Sequence, residues 1–273
     1  MHELVITGAS GFVAKHVIDR LTQLDYNITP VSRRRFENVI QVKNYKDTPP
    51  GDTLIHLAEN PDRREVNRLG KCYVEQSCEI MKSLTDKFNG RVIYASSAAI
   101  YGDKNIFPYS IRAPIHVTDI YSESKVVNEK IVLDAGGTVL RLSNVYGIGM
   151  SPNNVMCDII RQLEHNYIVL NDTSAIRDFV SVTDVASLIG KLLKSEYRGI
   201  VNVGSGVPIT IGELAKVFIK LNNQKNNKVI SREKTSKLSV NVLDIAETQT
   251  HFDWAPSLDF ENNLKILLMA NIK

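Results

Sequence analysis

The chain has 273 residues, of which 43% are hydrophobic and 23% charged, enough apolar material for a sizeable core in an ordinary soluble globular protein. A net charge of +3 is too small to argue for a nucleic-acid partner, though it suits an anionic small molecule. There is no membrane-length apolar run, no room for a signal peptide before the first strand, and no CxxC pair among Cys72, Cys78 and Cys157, so a cytoplasmic, metal-free protein with reduced thiols and no membrane contact is expected.

Leu4-Val5-Ile6 reads as a short buried strand, followed by Gly8, Gly11 and a helical pattern through Val13, Val17, Ile18 and Leu21. This is the turn from first strand to first helix in a dinucleotide-binding fold. Gly8 permits the tight turn, and Gly11 lets backbone amides approach a pyrophosphate at the helix's positive end. Ala14 is small enough for the helix to lie close to the strand.

A second strand over 28–31 runs into Ser32-Arg33-Arg34. In such folds an acidic residue here accepts from a free ribose 2′-hydroxyl, whereas arginines pair with a 2′-phosphate. The sequence therefore favours NADP, with NAD as the alternative. Strands are expected over 39–42 and 53–57, with His56 a packed or cofactor-side histidine, since no second ligand stands at metal spacing. The link between them carries Pro49-Pro50-Gly51 and is too broken for a full crossover helix. A long helical region over 62–88, bent at Gly70, leads to a strand over 91–95 and then Ser96-Ser97-Ala98-Ala99-Ile100-Tyr101-Gly102.

Small hydroxyl residues at the carboxyl end of a central parallel strand stand where open α/β sheets bind ligands. The irregular stretch 103–119 is long enough to face a substrate. Tyr121-Ser-Glu-Ser-Lys125 opens the next helix, with Tyr121 and Lys125 one turn apart on one face. A sixth strand over 139–142 runs into Arg141-Leu-Ser-Asn144-Val-Tyr-Gly147, after which strand-helix alternation loosens. A helix ending near 164, a strand over 168–170, a helix starting and capped at Thr183, a strand over 200–203, and helices over 211–221 and 260–270 complete the chain. The polar stretch 222–228 reads as a mobile surface loop.

The order glycine turn, Ser97, Tyr121-x-x-x-Lys125 is chemically coherent. An unperturbed phenol, with pKa near 10, is a poor acid-base group at neutral pH. A lysine ammonium and an oxidised nicotinamide both favour the phenolate. Tyr121 can then exchange a proton with a carbonyl or hydroxyl oxygen as hydride moves, while Ser97 holds that oxygen.

Together these residues resemble the extended short-chain dehydrogenase/reductase family of NAD(P)-dependent nucleotide-sugar epimerases, dehydratases and reductases. The resemblance takes in Thr7-Gly-Ala-Ser-Gly-Phe12, His56-Leu-Ala58, Asn67, Tyr101-Gly102, Arg141-x-x-Asn144-x-Tyr-Gly147, Arg177-Asp-Phe-Val, Asn202-Val-Gly-Ser-Gly206, Asp244 and Trp254-x-Pro256. It implies a Rossmann-type doubly wound parallel sheet over 1–145, joined again by 177–203, with a smaller C-terminal α/β substrate-binding region of 146–176 and 204–273. It implies Ser97, Tyr121 and Lys125 as catalytic residues and Asn144 and Arg177 as contacts to the substrate diphosphate. The expected cofactor residues are Gly8, Ser10, Gly11, Phe12, Val13, Ser32, Arg33, Arg34, Leu57, Ala58 and Ala95, with Tyr121 and Lys125 at the nicotinamide end. A homodimer through the helix ending near Phe88 and the helix carrying Lys125 is implied as well.

The departures from the family pattern are informative. Dehydratases carry Asp-Glu after the catalytic hydroxyl residue, and here Ala98 and Ala99 stand there. Ser32-Arg33 replaces the acidic residue of the NAD-retaining epimerases, and Asn44-Tyr45 replaces another after the third strand. The expectation is NADP-dependent reduction of a nucleotide-linked keto sugar of the 4-keto-6-deoxyhexose type, with a 4-epimerase as the alternative. A cofactor-sensing or scaffold protein that has lost catalysis is disfavoured by the retention of Ser97, Tyr121 and Lys125 together.

Overall fold

Strand and helix alternate through the first half of the chain: β1 (Glu3–Thr7), α1 (Phe12–Thr22), β2 (Asn27–Ser32), β3 (Ile40–Gln41), β4 (Thr53–His56), α2 (Arg63–Leu69), α3 (Lys71–Lys87), β5 (Val92–Ser97), α4 (Ile120–Asp134) and β6 (Thr138–Leu142). The second half is more finely divided: β7 (Asn144–Tyr146), α5 (Val155–Gln162), β8 (Tyr167–Leu170), β9 (Ile176–Arg177), β10 (Phe179–Ser181), α6 (Val182–Leu192), β11 (Gly199–Val203), β12 (Ile209–Thr210), α7 (Ile211–Leu221), β13 (Lys228–Ser231), β14 (Val240–Asn241), α8 (Ala246–Phe252) and α9 (Phe260–Asn271). This computed structural model describes residues 2–103, 108–223, 228–233, 238–257 and 259–271.

Seven strands form one sheet in the order β11-β6-β5-β4-β1-β2-β3, with every pairing parallel. Helices cover both faces, making a Rossmann-type doubly wound sheet. The alternation along β1 shows why. Leu4 and Ile6 pack on one face with Ala14, Val17 and Leu21 of α1 and Leu188 and Ile189 of α6. Val5 packs on the other with Leu54, Met81, Leu84 and Phe88. Each such fully buried side chain contributes about 1.5–3 kcal/mol of transfer free energy. A third apolar cluster joins Met156, Ile159, Ile168, Leu214, Phe218 and Leu264, drawn from α5, β8, α7 and α9.

The strand order turns around between β1 and β4, the place where open α/β sheets leave a crevice beyond their carboxyl ends. The turn after β1 and the segments leaving β4, β5 and β6 surround it.

Three local expectations change. The strand expected over 39–42 pairs with β2 only at Ile40 and Gln41. The helical region expected over 62–88 is two helices, because Gly70 sits at φ 66° and ψ −151° and ends α2 before α3 begins. The helix expected from Thr183 starts at Val182 and is capped by Ser181, whose Oγ accepts from the Thr183 N–H. The short strands β7, β9, β10, β12, β13 and β14 carry too few residues to show a period of two. Residues 104–107 of the loop 103–119 and residues 224–227 of the loop 222–228 lie outside the described residues.

Candidate active site

The turn after β1 is shaped by backbone proximity. Gly8 has φ +75°, and a Cβ there would lie 2.6 Å from the Leu57 carbonyl oxygen, so the segment leaving β4 leaves room only for glycine. The Gly11 N–H donates to the Gly8 carbonyl at 2.7 Å. Gly11 then caps α1 with no side-chain bond to the first-turn amides, and no acidic residue occupies that turn. Those amides and the helix's positive end remain available to an anion. Val13 packs against the core, and the Phe12 ring reaches the Gly147–Gly149 segment, to whose Ile148 carbonyl the His16 ring is hydrogen-bonded at 2.9 Å. These residues fit a dinucleotide pyrophosphate.

At the end of β2, Ser32 is 1% exposed; its hydroxyl donates to Ser10 Oγ at 2.9 Å and accepts from the Arg34 N–H at 3.0 Å. The serine is spent inside the turn. Arg33 and Arg34 are exposed, with the Arg33 guanidinium 5.4 Å from the centre of the buried Tyr45 ring. Tyr45, in place of an acidic side chain, thus forms a platform under a cation.

The N-terminus of α4 is held by a closed hydrogen-bond set. Asp119 accepts from the Ser122 N–H at 2.9 Å, and Ser122 Oγ accepts from the Asp119 N–H at 3.1 Å, a reciprocal cap. Asn67 donates to Asp119 at 3.0 Å and accepts from the Tyr121 N–H at 3.0 Å. Arg63 also bonds the Asp119 carboxylate and donates to Thr118 Oγ1. Burial pushes the Asp119 carboxyl up, but the bonds from Ser122, Arg63 and Asn67 outweigh it and hold it at about 2. Asn67, singled out only by resemblance, therefore clamps the backbone of Tyr121.

One turn on, Lys125 Nζ lies 5.8 Å from the Tyr121 ring centre and 5.1 Å from that of Tyr94. It donates to the Ala95 carbonyl at 2.9 Å and to the Glu59 carboxylate in a short ion pair. Glu59 also accepts from Tyr94 Oη at 2.7 Å, Ser77 Oγ at 2.8 Å and Asn128 Nδ2 at 2.5 Å. Burial works against both charges, yet their mutual attraction wins: the lysine is raised above its ordinary value and the glutamate lowered below its own. Burial and then Glu59 push Tyr73 up to about 12 and Tyr94 well up. Burial pulls His56, hydrogen-bonded to Thr7 Oγ1 at 2.8 Å, down to about 4.

Ser97 ends β5, two residues beyond the carbonyl that Lys125 grips, and its Oγ accepts from the Ala99 N–H at 3.2 Å. It lines a cleft of about 320 Å³ together with Ala98, Ala99, Asn144, Arg63 and Arg177. Asn144 Nδ2 donates to the Asp178 carbonyl at 2.9 Å. The Arg177 guanidinium is braced by Ser239, whose hydroxyl donates to Asp103. Burial lowers Arg177 below its ordinary value against the pull of Asp103 and Asp172. The cleft thus gathers the Ser97 hydroxyl and two guanidiniums, while Lys125 holds the Ala95 carbonyl two residues before Ser97 on β5. Among the described residues, no group of three His, Cys, Asp or Glu side chains comes together to hold a metal, and no helix is long and apolar enough to cross a membrane.

Sequence reasoning missed Glu59 and Tyr94, which touch Lys125, Ser77 and Asn128, which hold Glu59, and Arg63 in the cleft. Glu59 was legible in one respect, since it directly follows the His56-Leu-Ala58 strand end. The other three come from elements far apart in sequence.

The doubly wound parallel sheet and the uncapped helix end after β1 define a Rossmann-type dinucleotide-binding enzyme. The sequence profile of the NAD dependent epimerase/dehydratase family matches residues 4–204, and the chain belongs to that family. It is 26% identical to a putative UDP-glucose 4-epimerase of Methanocaldococcus jannaschii, over 96% of each chain. It is also 26% identical to the GDP-6-deoxy-D-mannose reductase of Pseudomonas aeruginosa, over 97% of this chain and 95% of that protein. Among solved structures, RMD from Pseudomonas aeruginosa complexed with NADPH superposes with a TM-score of 0.86 at 22% identity, covering 99% of this chain and 98% of that one. Membership of that family makes the cofactor a nicotinamide dinucleotide.

Proposed function

We propose that this enzyme reduces a nucleotide-linked keto sugar of the 4-keto-6-deoxyhexose type with NADPH. The observation that carries the reading is the end of β2, where two exposed guanidiniums stand and the acidic partner of a free ribose 2′-hydroxyl is missing. Its sequence relatives act on nucleotide sugars by name, and one of them is a reductase.

The first-turn amides of α1 would hold the pyrophosphate, Arg33 and Arg34 the 2′-phosphate, and Lys125 the nicotinamide ribose. When bound, the cofactor supplies the hydride. Tyr121 donates its phenolic proton to the sugar oxygen that becomes a hydroxyl, and solvent restores it. Ser97 Oγ donates a hydrogen bond to the same oxygen as negative charge gathers there. Asn144 and Arg177 address the diphosphate, with the rest of the nucleotide sugar against the region of 146–176 and 204–273. Ala98 and Ala99 offer no acid or base where dehydratases carry Asp-Glu, which counts against water elimination.

The test is loss of NADPH absorbance on adding a panel of nucleotide-linked keto sugars. Reduction of at least one member is expected. The reading fails if none is reduced while parent sugar nucleotides epimerise without added cofactor. The second reading, a C4 epimerase that reduces and reoxidises a tightly held cofactor, draws on the equally similar archaeal relative. It predicts cofactor co-purifying with the protein. A homodimer through α3 and α4 accompanies the proposal. The exposed side of α3 carries Lys71, Glu75, Glu79, Lys82 and Asp86, so such a contact would rest on ion pairs, and light scattering at low and high salt reads it.

A further inference from the structure

A carboxylate buried against the active-site ammonium is more than the chemistry above requires. Lys125 has three N–H donors, and two are already taken by the Ala95 carbonyl and by Glu59. The glutamate is held from three elements: Ser77 on α3, Tyr94 on β5 and Asn128 on α4, the last also donating to Ser77 Oγ at 2.6 Å. Its side chain is 8% exposed and that of Lys125 7%. Such a cage fixes both the position of the ammonium and the net charge beside Tyr121.

From this geometry we infer that Glu59 is a positioning residue, which holds Lys125 in place and offsets its charge at Tyr121, biasing the tyrosine toward its protonated, proton-donating form. The inference rests on Tyr121 being the proton donor of the reading above. A phenol facing an uncompensated ammonium ionises readily, which suits enzymes that begin by taking a proton from a sugar hydroxyl. A phenol facing a neutralised pair keeps its proton, which suits one that gives a proton to a carbonyl oxygen.

The other groups around the pair do not supply the same balance. His56 beside β4's exit is buried and neutral at pH 7. Tyr73 on α3 and Tyr94 on β5 are phenols driven to higher pKa by burial and by Glu59 itself. On α4, Glu129 is consumed by its own ion pair with Arg141. Glu59 is therefore the carboxylate that faces Lys125 directly.

Ultraviolet difference titration of tyrosinate, between each protein and its Tyr121→Phe counterpart, isolates the Tyr121 phenol and needs no substrate. Glu59→Gln should move that midpoint to lower pH by about one unit, a tenfold rise in phenol acidity. Glu59→Asp, which keeps the charge, should restore most of the wild-type midpoint. Glu59→Ala serves the same test if the glutamine variant folds poorly. A folded Glu59→Gln or Glu59→Ala protein whose midpoint stays put, or moves alkaline, overturns the inference. A panel in which no keto sugar is reduced while parent sugar nucleotides epimerise would instead overturn the reductase reading and leave the titration result standing.

Discussion

Arg141 Nη2 lies 2.7 Å from Glu129 Oε2, and each of the two side chains is 3% exposed. The pair joins β6 to α4, and Arg141 extends it by donating to Tyr101 Oη at 2.7 Å, which donates in turn to Asn202 on β11 at 2.9 Å. Removing one charge strands the other in the interior. Glu129→Ala should therefore destabilise the protein by about 3–5 kcal/mol in urea unfolding. The double variant Glu129→Leu, Arg141→Met should recover much of that loss, since it leaves no buried charge unpaired. A double variant as unstable as the single one would show that the network matters for more than charge balance.

His56 gives stability a pH dependence. Its pKa is about 4 in the folded protein against 6.5 for the ordinary side chain. The unfolded chain thus binds the extra proton first. The contribution is complete above pH 6.5 and is lost as pH falls through 6.5 toward 4, by at most roughly 3 kcal/mol. Thermal melting of His56→Gln should be flatter than wild type across that window. Equal slopes in the two proteins would assign the acid sensitivity to other groups.

The β2 terminus is tested through cofactor choice. Arg33→Ala and Arg34→Ala together should weaken NADPH binding by about ten- to a hundredfold, the worth of one or two charge-assisted bonds, while leaving NADH nearly unchanged. Calorimetric titration with both cofactors reads this. Equal losses for NADH and NADPH would mean that the arginines do not recognise the 2′-phosphate.

Tyr121→Phe should lower turnover by about 10²- to 10⁴-fold and leave cofactor affinity nearly intact. Asn67→Ala should lower turnover less, since it frees the Tyr121 backbone without removing the phenol. Full activity in Tyr121→Phe would take the phenol out of the mechanism.

Much of this was legible because the first half of the chain obeys strong local rules. The apolar run Leu4-Val5-Ile6, the glycine turn and the stripe through Val17 and Leu21 can be satisfied in few other ways. Tyr121 and Lys125 were legible because one helical turn fixes their spacing. What escaped depends on long-range packing. Glu59 looks like an ordinary loop carboxylate until Ser77, Tyr94 and Asn128 close over it. Tyr101, Arg141 and Asn202 were found as motif positions, but only the fold shows them tied together as a buried scaffold. The strands of the C-terminal half other than β11, two to four residues long, pair through partners distant in sequence and have no periodicity to read.

The central claim is that hydride leaves the enzyme on the sugar. It is tested most directly with NADPH deuterated at the transferable position and a nucleotide-linked 4-keto-6-deoxy sugar, followed by mass spectrometry of the product. One deuterium per product molecule, with one NADPH consumed for each, is the expected result. An epimerised sugar nucleotide without deuterium, formed with no net consumption of NADPH, would contradict it.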